Sequence, residues 1–198
     1  MRWVVPLTVA LAAGCTAPPP SPPPASSPSA SPLPATADVP PDPETGYVVP
    51  QVLFRPLRPP RVPAGTCPTE RPRTVHPDFG LASGPGPVYP VGLRNGVLTL
   101  SNGPEFGGAY GGAKVLWVAD ASYAGPVLIR GGQLDGTNPV RFWRGPNPAP
   151  HMQLPARDAD NRWRDWPSYT RVRATGCYFW QVDGLDVSYP VVFEVRRE

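Results

Sequence analysis

The sequence predicts an all-β domain: an antiparallel β-sandwich of seven or eight short strands behind a proline-rich linker. Three observations carry the prediction. Large apolar residues recur at period two, as in Tyr178, Trp180 and Val182 and again in Val191, Phe193 and Val195, the alternation of strands with one buried face. Turn-forming pairs separate such runs, among them Asn95-Gly96, Asp135-Gly136 and Asp183-Gly184. No stretch keeps the 3.6-residue period of an amphipathic helix. A small closed barrel is the alternative architecture for this pattern.

The 198 residues do not all belong to one folded unit. The chain holds 33 prolines, crowded into its first half, roughly three times ordinary usage. That leaves one domain of about 130 residues, long enough for a hydrophobic core. The formal net charge is +3, with seventeen arginines against the single Lys114. So small a charge argues against a nucleic-acid partner, which needs a clustered basic face. The arginine excess reads as GC-rich coding bias.

From the start, Met1-Arg2 is positive and residues 3–13 are an apolar run. That run is too short for a bilayer span, which needs about 20 residues, but suits the core of a signal peptide. Leu11-Ala12-Ala13-Gly14-Cys15 follows. Small residues ahead of this cysteine resemble the lipobox of bacterial lipoproteins, with Ala12 where that family prefers leucine. The resemblance implies that residues 1–14 are a lipoprotein signal peptide. It implies that the Cys15 thiol takes a diacylglycerol, that cleavage occurs before it, and that its new amino group is acylated. The protein is then extracytoplasmic and held to the cell membrane by lipid, since two or more acyl chains anchor stably where one does not.

Residues 16–37 are Thr, Ala, Pro, Ser and one leucine, without charge. Such a stretch cannot bury apolar area to offset backbone entropy. With Cys15 it forms a spacer over residues 15–45, reaching very roughly 90 Å as polyproline II. Residues 46–66 form a proline- and arginine-rich arm. Tyr47, Val48, Val49, Val52, Leu53 and Phe54 make an apolar patch fit to pack on the domain edge. Arg55, Arg58 and Arg61 recur at spacing three, the period of polyproline II, and line one solvated side; an anionic membrane or wall surface is the alternative partner for them.

Cys67 opens the folded domain, residues 67–198. With Cys15 assigned to lipid, Cys67 is left as partner for Cys177, which faces away from the core if Tyr178, Trp180 and Val182 face in. Their wide separation lacks the Cys-x-x-Cys pattern of redox sites, so the expected disulfide is structural. Residues 74–93 read as loop. Strands are expected at 97–100, 113–118, 127–130, 140–144 and 170–174, with a weak edge strand at 151–154, before the last two close the domain. The pattern resembles immunoglobulin-like domains in a general way, without the Cys…Trp…Cys spacing of antibody domains. Gly176-Cys177-Tyr178-Phe179-Trp180-Gln181-Val182-Asp183-Gly184 is similar to a penultimate strand of uncharacterised bacterial lipoproteins, a resemblance that assigns no activity.

Candidate chemistry is sparse. His76 and His151 have no second ligand at metal-site spacing, so no metal or other cofactor is expected. No serine or cysteine sits in a nucleophile frame, although His76 beside Asp78 leaves an envelope hydrolase as a third reading. Asp158, Asp160 and Asn161 lack the glycine and closing glutamate of a calcium loop. The glycines between Glu105 and Lys114 lack the ending of a phosphate loop. Trp143, Trp163 and Trp166 are the candidate ligand-binding residues, Trp143 being exposed if Phe142 is buried. Flat rings beside Asp and Arg suit a sugar or a protein. The expectation is therefore a non-catalytic accessory or protein-interaction module of the envelope, with a cell-wall glycan-binding domain as the alternative.

Overall fold

A computed structural model of the chain describes residues 39–103, 106, 109–157 and 162–197. Cys15 and residues 16–38 of the spacer lie outside the described residues, as do Glu105, Asp158, Asp160 and Asn161. Residues 39–45, expected as the end of the spacer, instead belong to the fold: Asp42 is buried, and Pro40, Asp42 and Thr45 hydrogen-bond to Gln153. The described residues form two β-sheets, with a 3-10 turn at Gln51–Leu53. None of them forms a helix long and apolar enough to cross a membrane.

Eleven strands are described: β1 Arg73–His76, β2 Gly80–Ala82, β3 Val88–Val91, β4 Val97–Leu100, β5 Gly111–Ala119, β6 Val127–Gln133, β7 Arg141–Phe142, β8 Met152–Leu154, β9 Arg164–Val172, β10 Gly176–Asp183 and β11 Ser188–Arg197. The front sheet has the order β1-β2-β3-β5-β9-β7 and the back sheet β4-β11-β10-β6-β8. The result is the expected sandwich, with more strands than expected and one parallel pair, β4 with β11. Beyond β4, Ser101 bridges to Gly112 of β5, so one corner links the sheets.

The core follows from the alternation. Tyr178, Trp180 and Val182 of β10 and Val191, Phe193 and Val195 of β11 all lie inside. Trp180 stacks on Phe193 at 3.7 Å between ring centroids, and Trp117 of the front sheet meets Trp180 edge-on at 5.3 Å. These rings join the two sheets, each burying on the order of 150–250 Å².

Turn chemistry works in two different ways. Arg94 and Val97 exchange both backbone hydrogen bonds around Asn95 (φ 51°) and Gly96 (φ 77°), the left-handed pair that Asn-Gly favours. Gly184 of the β10–β11 hairpin does not have positive φ. It is small because Tyr123 packs against it: an added Cβ would lie 2.2 Å from the Tyr123 hydroxyl oxygen.

Residues 74–93, expected as loop, contain most of β1 and all of β2 and β3. These strands are three or four residues long, and Pro90 sits inside β3, which hides the alternation. Strand β9 starts six residues before its expected position, at Arg164. Arg164 looks like a surface residue in sequence but is buried, donating to the carbonyls of Tyr123, Ala124, Gly125 and Pro155.

The arm forms a third layer over the back sheet. Cys177, Phe179, Gln181 and Asp183 alternate with the core residues of β10 and so point outward, yet all four are buried. Val49 and Leu53 of the arm pack with Leu128 of β6, flanked by Tyr47 and Phe54. Proline lacks an N–H, so the arm cannot pair as a regular strand. Side chains of the sheet satisfy it instead. Gln153 accepts from the Val49 N–H at 2.9 Å and donates to the Pro40 carbonyl at 2.9 Å. Gln181 accepts from the Arg58 N–H at 2.7 Å and donates to the Pro56 carbonyl at 3.2 Å. Arg55 is not on a solvated arginine face. It donates to the carbonyls of Gly184, Leu185 and Val187 at 2.7–3.0 Å.

A disulfide between Cys67 and Cys177, 110 residues apart, fixes the end of the arm to β10. Removing it by Cys67→Ala with Cys177→Ala is expected to cost ~4–5 kcal/mol, the loop-closure value for that separation, read by guanidinium unfolding. Leu53→Ala, at a fully buried arm position, is expected to cost ~2–5 kcal/mol and to expose residues 46–66 to limited proteolysis.

Candidate binding face

The two outer faces of the sandwich differ. The arm roofs the back sheet, and the described chain lays no equivalent layer on the front sheet. Outward residues of the front sheet are in register across three strands: Tyr89, Val118 and Asp165 form one row, and Val91, Leu116 and Pro167 the next. Lys114 and Tyr169 continue the face along β5 and β9. Most of these side chains are half-buried or exposed.

Trp163, just before β9, folds back onto this face. Its ring stacks on Tyr89 at 6.2 Å with an interplanar angle of 23°. His76 at the end of β1 lies 5.2 Å from it, and Phe79 of the β1–β2 turn 5.9 Å. The Arg73 guanidinium sits 5.6 Å from the Tyr89 ring centre and is held there by the Gly84 carbonyl, which accepts from it at 2.8 Å. Val118, outward in the same row as Tyr89, is fully buried. On β2 it is Ala82 that is in register with Val91 and Arg73, so Leu81, 54% exposed, lies on the other side of its strand.

His76 belongs to the packing of this cluster. Its Nδ1 accepts the Asp78 backbone N–H at 3.3 Å. The Asp78 carboxylate is 3.8 Å away and 81% exposed. Among the described residues no hydroxyl or thiol hydrogen-bonds to His76, and no three His, Cys, Asp or Glu converge as a metal site.

The three tryptophans do not share a surface. Trp143 is buried, not exposed, and its Nε1–H donates at 3.2 Å to the carboxylate of Asp42, which lies ahead of the arm. Its φ of 70° breaks the strand alternation, so Phe142 and Trp143 both turn inward. Trp166 lies on the core side of β9, half-buried, with the Arg164 guanidinium 5.0 Å from its ring. Only Trp163 reaches the outer face. Its neighbours His76, Phe79 and Tyr89 were hidden in sequence because they fall in the segment that reads as loop.

Burial shifts several groups. The Tyr178 phenol, in the core, is pushed up to about 12. Burial holds the His151 imidazole below its ordinary value, with Arg130 and Arg141 adding to the effect and Asp42 opposing it. A groove of about 680 Å³ runs beside the disulfide between the arm and β10. Its two carboxylates are engaged: Asp135 accepts the Cys177 N–H at 3.0 Å, and Glu194 pairs with Arg196 at 2.8 Å.

No protein-family model, curated protein or solved structure matches this chain.

His151 provides a pH test of the arm's seat. Its ring meets Phe54 of the arm edge-on at 5.4 Å, and its Nε2 is 3.2 Å from Gln153 Nε2. Because the folded chain disfavours the imidazolium, the unfolded chain takes up the proton first as pH falls below about 6.5. This contribution is whole above that pH and is lost below it. The melting temperature is therefore expected to fall between pH 7 and pH 5.5, and to fall less in His151→Gln, measured by thermal denaturation at both pH values.

Proposed function

We propose that this protein is a lipid-anchored, non-catalytic module of the cell envelope, tethered outside the cytoplasm through Cys15. It engages an envelope protein through the outer face of its front sheet. The observation that carries the reading is the asymmetry of the sandwich: one face is roofed by the chain's own arm, while the other presents Tyr89, Val91, Leu116 and Trp163 partly exposed. Half-exposed aromatic and aliphatic side chains over a rigid sheet are the usual makings of a protein contact. The disulfide supports an oxidising compartment, where such bonds persist. The hydrolase reading loses its support because His76 serves the turn and the ring cluster. A glycan platform built on three tryptophans loses its support because Trp143 and Trp166 turn inward.

The test is crosslinking in the native envelope followed by mass spectrometry. One specific protein partner is expected, and Leu116→Asp with Trp163→Ala is expected to abolish its recovery while the circular dichroism spectrum is unchanged. Recovery of wall fragments alone would overturn the reading. Intact mass is expected to show an acylated chain beginning at Cys15, and Cys15→Ser to release the protein into the soluble fraction.

A further inference from the structure

A second feature lies on the same face, at the far end of β5 from Trp163. A groove of about 320 Å³ opens between the Asn95-Gly96 turn, β4 and the first half of β5. Leu98 and Phe106 are among its apolar lining, and the ring of Tyr169 contributes to its wall. Arg94, Thr99 and Lys114 also line it, and all three are exposed.

The rings are held in place from outside the groove. The Arg144 guanidinium lies 4.3 Å from the centre of the Tyr169 ring and donates to its hydroxyl. Phe106 meets Tyr169 edge-on at 5.7 Å, and Arg171 sits 5.1 Å from Phe106. The lining cations are differently placed. Among the described residues neither Arg94 nor Lys114 has a carboxylate partner or a side-chain hydrogen bond, whereas Arg55 and Arg130 are both committed to Asp183. Two uncommitted cations at one groove call for an anion. A hydroxyl and a fixed aromatic ring over an apolar floor call for a polar ring with C–H faces. The volume sits at the lower end of the range for small-ligand sites, room for one or two such rings.

We propose that this groove binds a sugar unit carrying a carboxylate or a phosphate, as part of an acidic envelope glycan. The proposal uses residues separate from the Trp163 cluster and does not depend on the protein-partner reading.

The test is calorimetric titration of the purified full chain with methyl glucuronide, glucose 6-phosphate, glucose, inorganic phosphate and triglutamate. At least one acidic sugar is expected to bind saturably, and the tighter of the two identifies the anion. Glucose is expected to bind about tenfold more weakly or not at all, the change that loss of a charge-assisted contact gives. Arg94→Gln and Lys114→Gln, both at exposed positions, are each expected to weaken binding about tenfold. Arg157→Gln, an equal charge loss at an exposed position elsewhere, is expected to leave it unchanged. Absence of binding, or binding indifferent to the Arg94 and Lys114 substitutions, would overturn the proposal. So would inorganic phosphate matching the sugar phosphate, which indicates an adventitious ion only, or triglutamate matching both sugars, which indicates an acidic peptide.

Discussion

A buried carboxylate fastens the arm to the back sheet of this protein. Asp183 ends β10 on its outward side, and its side chain is fully shielded from solvent. A lone ion there would be costly, but Asp183 is surrounded by donors. Arg130 of β6 reaches it at 2.7 Å, Arg55 of the arm at 3.6 Å, and Gln181 and Ser188 also donate to it. Arg130 donates to the Arg55 carbonyl as well, so arm, β6 and β10 share one network. Removing one member of such a group leaves a buried charge uncompensated, typically a loss of 3–5 kcal/mol. The Asp42 carboxylate does similar work four residues ahead of the arm, where it accepts from the Gln153 backbone N–H at 2.8 Å and from Trp143.

This arrangement decides which face of the sandwich is available. The outward side of β10 carries polar side chains that would suit solvent, and the arm converts them into interior groups. Edge strand β8 is covered by the same segment, through Thr45 and Asp42 against Gln153, which blunts one edge against unwanted pairing. The front sheet keeps its half-exposed rings and, at the far end of β5, the groove lined by Arg94 and Lys114. Fold stability and surface recognition are thus assigned to opposite sides of one small domain.

Arginine has a structural use that composition concealed. Arg171 is buried in β9 and donates to the carbonyls of Phe106, Tyr110, Trp143 and Gly145. Arg164 gathers the carbonyls of residues 123–125 and Pro155 in the same manner. A guanidinium has five N–H donors in a planar fork, so one side chain can satisfy several loop carbonyls at once. Glycine and proline bring no side-chain donors to a loop, which gives these two arginines a role beyond coding bias. Burial correspondingly lowers the proton affinity of Arg171.

The sequence by itself determined the class of fold, the inward residues of β10 and β11, and the pairing of Cys67 with Cys177. Each rests on a local periodicity or on counting, which survive without knowledge of distant contacts. Only the tertiary structure decided that the arm is a third layer, because its partners Gln153, Gln181 and Asp183 lie about a hundred or more residues away and look like solvent-facing positions in an alternating strand. Only the tertiary structure turned Trp143 inward, through a backbone angle that no neighbouring residue advertises. The ring cluster around Trp163 was equally hidden, since its members come from β1, the β1–β2 turn, β3 and the entry to β9. Periodicity reports which side of a strand a residue occupies; what covers that side is set by segments far away in the chain.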